Sequence, residues 1–285
     1  MIWALLSILS GFAWATSDAL VKKYLTREKT IIIVWSRFAF ASLFLLLALP
    51  FIKIPALNTT FWLVTLILVP LEILALFLYV TSIQKSPLSL TLPFLALTPL
   101  FLIPISYIIL GELPTKTGIV GILLIVAGSY AINFSSKGFF GPFKALFKER
   151  GSLMMLAVAF IYSITSAISK IALQHSNALF FSVFYTIIIF IALSFLIFNK
   201  IISSSKEIKN NIKGFAYSGF FYGLMILFHF IALSLVIVPY MIALKRTSSV
   251  FGVGYGWFVF KEKRIKERMI GTLLMVLGAI LIVLY

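Results

Sequence analysis

The sequence predicts an all-α polytopic membrane protein with ten transmembrane helices, arranged as two inverted five-helix repeats. Three observations in the chain predict this: ten apolar stretches of about twenty residues, basic residues gathered in alternate loops, and a self-similarity that returns after about 150 residues. About twenty residues is the length that crosses roughly 30 Å of hydrocarbon at ~1.5 Å per residue. With 62% hydrophobic and 11% charged residues and a mean hydropathy of +1.13, a chain of 285 residues has too little polar surface to coat a soluble globule.

The first stretch, residues 2–21, begins at the initiator methionine with no basic region before it, so it reads as a resident helix and not as a cleaved signal peptide. The second and third, 30–51 and 61–84, are uncharged apart from Arg37 and Glu72. Pro70 lacks an amide donor and loosens the helix just before Glu72. The fourth, 87–108, carries Pro87, Pro93, Pro99 and Pro104, and the fifth, 117–135, carries Gly121 and Gly128. A basic cytoplasmic linker, 136–150, joins the repeat at 1–135 to the repeat at 151–285. The second repeat has stretches at 152–174, 178–198, 213–236, 239–260 and 267–285, the ninth opening with Pro239 and the tenth carrying Gly271 and Gly278.

A net charge of +16 in a soluble protein would suggest nucleic acid, but the distribution gives it another cause. Eighteen Lys and Arg residues fall in or beside the odd-numbered loops, against Lys53 and Lys116 alone in the even-numbered ones. By the positive-inside rule the odd loops are cytoplasmic and both termini lie outside. This asymmetry and the short loops suit a prokaryotic inner membrane. The absence of cysteine removes disulfides, thiol catalysis and thiolate metal sites.

Compared with itself at an offset of 150, the chain pairs Glu112 with Glu262, Lys116 with Lys266, Gly121 with Gly271 and Gly128 with Gly278. At an offset of 148, residues 11–25 match 159–173, setting Phe12 beside Phe160, Trp14 beside Tyr162 and Lys22 beside Lys170. Five spans per half is an odd number, so the second half enters the membrane from the opposite side. Such halves can rock around a shared central site, which points to a secondary transporter.

The pattern resembles the EamA module of the drug/metabolite transporter superfamily. The resemblance rests on the Gly111-Glu112-Leu113 stretch, on Lys261-Glu262 in the second half, and on the glycine pairs seven residues apart in the fifth helix of each half. It implies ten helices and transport of small metabolites without an ATPase domain; no GxxxxGK[ST] loop is present.

Ionisable groups within spans are costly in lipid and are the default site candidates. Lys245 and Arg246 are adjacent in the ninth stretch, about 10 Å below the outer surface by residue count. Their segment, LKRTSSVFGVGYGWF, resembles the Lys-Arg pair on the ninth helix of the plastid triose-phosphate translocators, which implies a hold on substrate phosphate. Two adjacent cations in low dielectric attract a phosphate or carboxylate, arginine as a fork and lysine as a point charge. The other reading pairs them internally with Glu72 or Asp18. Lys170 either joins them at the substrate or reaches to the outer interface. Asp18 and Arg37 fall at similar depth in neighbouring helices, as a cytoplasmic gate or a structural pair. Glu72 is the candidate for proton coupling, with His229 as a weaker one that is otherwise a hydrogen-bonded core residue. Trp14, Tyr79 and Tyr162 are candidate cavity aromatics, with Tyr185 and Tyr222 beside them.

Val253-Gly254-Tyr255-Gly256 reads like a potassium filter, yet it lies inside what reads as an unbroken span, where the glycines are expected to allow close helix packing. Prolines at matched places in helices four and nine point to the substrate site at broken helices. No nucleophile-base set or metal-ligand spacing stands out, so no enzymatic role, cofactor or metal is expected. The partners expected are the lipid bilayer, a small-molecule substrate with an anionic group, and protons or a counter-substrate; oligomeric state is left open between monomer and homodimer. Two rival readings stand beside this one: an exporter of zwitterionic or cationic metabolites centred on Glu72, and a flippase-like subunit acting on lipid-linked substrates.

Overall fold

The computed structural model describes residues 1–86, 88–132, 149–261 and 265–284. Every regular element among them is helical. The first half holds α1 (Ile2–Tyr24), α2 (Thr30–Leu46), α3 (Thr59–Lys85), α4 (Leu88–Leu95), α5 (Thr98–Leu110) and α6 (Lys116–Ile132). The second holds α7 (Arg150–Gln174), α8 (Ala178–Leu196), the short α9 (Phe198–Ser203) and α10 (Ser205–Asn210), α11 (Ile212–Leu235), α12 (Val238–Lys245), α13 (Ser248–Phe258) and α14 (Ile265–Leu284). Most of the basic linker, together with Pro87 and Glu262, lies outside the described residues.

Six described segments are long and apolar enough to cross a membrane: 2–24, 59–83, 93–110, 150–174, 178–196 and 212–235. Shorter apolar helices lie at 30–46, 116–132 and 268–284. Outward-facing Leu66, Ile108 and Phe195 are 70%, 78% and 82% exposed, an apolar coat that hydrocarbon would cover at no cost. The second helix is shorter than its apolar stretch predicts. It ends at Leu46, and Leu49–Phe51 forms a separate 3-10 turn with Pro50 in its first two positions.

The halves interlock by exchange. α1 packs on α11 and α3 on α7, so the first helix of each half meets the third of the other, while α2 meets α8 and α6 meets α14. In the last pair a Cβ on Gly121 would lie 2.8 Å from the Gly278 carbonyl, and one on Gly128 2.5 Å from that of Gly271. The two helices therefore run antiparallel with backbones in contact, and the 150-residue match carries one glycine pair onto the other.

Two spans are interrupted at matched places. α4 stops at Leu95 and α5 starts at Thr98; α12 stops at Lys245 and α13 starts at Ser248. At each break i→i+3 bonds enter the ladder: Leu97 N–H donates to the Phe94 carbonyl (3.1 Å), Thr247 N–H to that of Leu244 (3.0 Å), and Arg246 N–H is shared between the carbonyls of Ala243 (3.0 Å) and Ile242 (3.2 Å). Each break also has a threonine hydroxyl on the carbonyl three residues back: Thr98 on Leu95 and Thr247 on Leu244, both at 2.7 Å. Pro99 helps to end α4, but no proline lies at the second break, so the ninth span is not the unbroken helix its sequence suggests. The 253–256 stretch lies in α13, and a Cβ on Gly252 or Gly254 would meet open space, so close packing does not explain these glycines.

Candidate functional site

The second break carries the charges. Lys245 and Arg246 are each only 8% exposed. Lys245 Nζ lies 2.9 Å from His229 Nδ1, an ammonium facing a ring nitrogen that accepts when neutral. Arg246 Nη2 donates to Thr98 Oγ1 at 2.8 Å, so one hydrogen bond joins the two helix breaks. Trp14 of α1 lies under both cations, its ring centre 4.7 Å from the lysine nitrogen and 5.7 Å from the guanidinium carbon. Arg246 Nε is buried with no hydrogen-bond partner. Among the described residues neither cation forms an ion pair; the pairs there are Arg37 with Asp18 and Lys170 with Glu112.

These side chains face two cavities. A smaller one, about 110 Å³, is lined by Lys245, Arg246, Glu72, His229 and Thr98, with Trp14, Tyr162, Tyr185, Tyr222 and Phe230 as its aromatic wall. Glu72 shares that wall with Tyr185 and Thr165. A larger cavity, about 290 Å³, continues past Trp14 and Arg246 to Tyr79, Asp18, Lys22, Phe260 and Arg268, towards the basic end of the bundle. Trp14 and Arg246 are on the walls of both.

The structure brings together most of the residues singled out by sequence. Trp14, Tyr162, Glu72, His229, Lys245 and Arg246 share the smaller cavity, and Tyr79 and Asp18 line the larger one. Asp18 and Arg37 meet at 2.6 Å, and Arg37 also lies 5.4 Å over the Tyr222 ring. The internal pairing of Lys245 or Arg246 with Glu72 or Asp18 is not formed.

Lys170 departs from its expected role. It lines neither cavity and does not reach to the interface; it is 8% exposed and faces Glu112 and the end of α11. A nearby carboxylate and two open carbonyls offer a buried ammonium more than lipid or cavity does.

Thr98, Thr165, Ser166 and Ser169 on the smaller cavity were missed, because lone hydroxyls in apolar helices carry no distinct signal. One signal was present. Set 149 residues apart, Leu95-Ala96-Leu97-Thr98 matches Leu244-Lys245-Arg246-Thr247, the same break with and without its cations. Among the described residues no group of three or more His, Asp or Glu side chains is placed to hold a metal ion.

A model of the EamA-like transporter family matches residues 1–134 and again 149–284. A comparison with curated proteins returns no match. One solved crystal structure, 16% identical in sequence, is similar over 99% of this chain and 96% of its own, with a TM-score of 0.77; at that identity the likeness speaks for the fold alone. The family match takes in nearly all of both halves, interrupted helices and cavity walls included, and the chain belongs to the EamA-like transporter family.

Proposed function

We propose that the chain is a secondary transporter that carries a small metabolite with an anionic group, a carboxylate or phosphate, by alternating access between two inverted five-helix repeats, 1–135 and 151–285. One observation carries the substrate reading: the helix break is built twice with the same backbone and threonine bonds, yet only the second copy holds Lys245 and Arg246. The first break forms with Ala96 and Leu97 in their places, so the fold does not need the cations. Two buried positive charges with no carboxylate in ion-pair contact are costly unless a ligand supplies the anion. Arginine offers a fork, lysine a point charge, and Trp14 a face that tolerates both.

Glu72 and His229, on the same cavity, are the groups to carry a coupled proton, and Asp18–Arg37 stands at the basic end as a gating pair. In an exchanger no proton is needed, because empty cations in a closed cavity disfavour reorientation without substrate. Ten crossings of a prokaryotic inner membrane, with both termini outside, complete the reading. A second reading has one observation in its favour: Glu72 shares the small cavity with the cations, which suits a zwitterion with its carboxylate on Lys245 and Arg246 and its ammonium on Glu72.

The test is a thermal-shift screen of purified protein against phosphorylated metabolites, carboxylates, amino acids and quaternary amines, beside Lys245→Ala and Arg246→Ala. Stabilisation by an anion that is lost in both variants is the expected outcome, followed by flux of that anion in liposomes. Stabilisation by cations that survives both substitutions would sink the anion reading.

A further inference from the structure

α11 ends at Leu235 and α12 begins at Val238, so the last carbonyls of one helix lie beside the first amide of the next. Such ends carry opposite partial charges, negative at the C-terminus and positive at the N-terminus. Lys170 and Glu112 complement them, the cation at the negative end and the carboxylate at the positive one. Lys170 Nζ donates to the carbonyls of Leu233 (2.7 Å) and Val236 (2.5 Å), while Glu112 Oε2 accepts from the Val238 N–H at 2.7 Å. The two side chains face each other at 3.5 Å, both nearly buried. Gly111, at φ 70°, turns the chain at the end of α5 and returns Glu112 over that helix, where Ser106 Oγ donates to it at 3.0 Å.

Glu112 belongs to the first half, whereas Lys170, Leu233, Val236 and Val238 belong to the second. The cluster thus ties the halves together at the end of the bundle opposite the basic loops. A second strut lies beside it, where the Tyr240 hydroxyl accepts from the Thr115 N–H at 2.9 Å. Neither cavity wall includes Lys170, Glu112 or the α11–α12 turn, while the larger cavity reaches the basic end. On the alternating-access reading, opening the far end would part the loop bearing Glu112 from α7 and α12.

Building on the alternating-access reading, we infer that Lys170 and Glu112 form the latch that holds the end opposite the basic loops closed. It differs from a plain ion pair because each partner also satisfies a helix end of opposite sign, so its polarity is fixed. Breaking it leaves a buried charge and open backbone groups, which favours the open state.

Since the chain has no cysteine, Lys116→Cys and Leu235→Cys place spin labels on exposed sites of the two halves near this end. Pulsed electron-electron resonance then reads the separation without any substrate. Glu112→Gln and Lys170→Met are each expected to raise the ratio of long to short distances by about tenfold, the effect of losing one charge-assisted hydrogen bond. Ser106→Ala, a milder change, should shift the ratio in the same direction by less. Exchanging the charges, Glu112→Lys with Lys170→Glu, should leave the end open, because each charge then meets a helix end of its own sign. An unchanged distribution in Glu112→Gln or in Ser106→Ala overturns the latch, and closure restored by the exchange overturns the helix-end account. A shift in distance without flux of any anion leaves the latch standing and removes the anion-substrate reading; flux with no shift does the reverse.

Discussion

At the scale of the residue, the proposed site is two cations on a backbone break that the chain also builds without them. Lys245 and Arg246 were legible in the sequence because charges inside an apolar run must be accommodated by protein, water or ligand. Their partners were not. Thr98 lies 148 residues from Arg246 and gives no sign of itself, yet it supplies the guanidinium's hydrogen bond across the molecule. Removing that hydroxyl should loosen Arg246 without altering the net charge. Thr98→Val is therefore expected to weaken anion binding by about tenfold, read by calorimetry, while the thermal midpoint of the empty protein moves little. An unchanged affinity would mean that Arg246 is positioned by the backbone alone. Lys170 shows the opposite case. It was as visible as Lys245, but its position four residues before the end of α7 gives it the α11 carbonyls and Glu112 to bind, and removes it from the cavity.

At the scale of the element, glycine spacing predicted a contact and the structure gave its partner. Gly121 and Gly128 on α6 meet Gly278 and Gly271 on α14, each where a side chain would displace the facing backbone. Gly128→Val is expected to cost about 1–3 kcal/mol through overpacking, seen as a fall in the yield of monodisperse protein and in its thermal midpoint. Gly254→Ala, whose Cβ would meet open space, should be tolerated on the same assay. Equal losses in the two variants would mean that the α6–α14 contact is not close. The break in the ninth span was hidden for a physical reason: LKRTSS contains neither proline nor glycine, and its local hydrogen bonds accept a helix as readily as a turn. Only the comparison with Leu95–Thr98, where Pro99 marks the spot, reveals it.

At the scale of the whole molecule, the proposed orientation rests on eighteen basic residues against two. Lys206→Cys, on α10, should be sheltered from an impermeant thiol reagent in intact cells, and Lys53→Cys should be labelled; the reverse pattern would turn the molecule over. By itself the sequence determined that the chain is helical and apolar enough for the membrane, that its halves are related and that charge lies within its spans, because length, hydropathy and repeat spacing are local properties written along the chain. Tertiary structure alone decided which charges face a cavity and which close an end. Lys170 and Lys245 are alike in type and burial, and what separates them is whether the groups brought within 3.5 Å by the packing of distant helices already satisfy them: a carboxylate and two carbonyls for Lys170, one histidine nitrogen for Lys245.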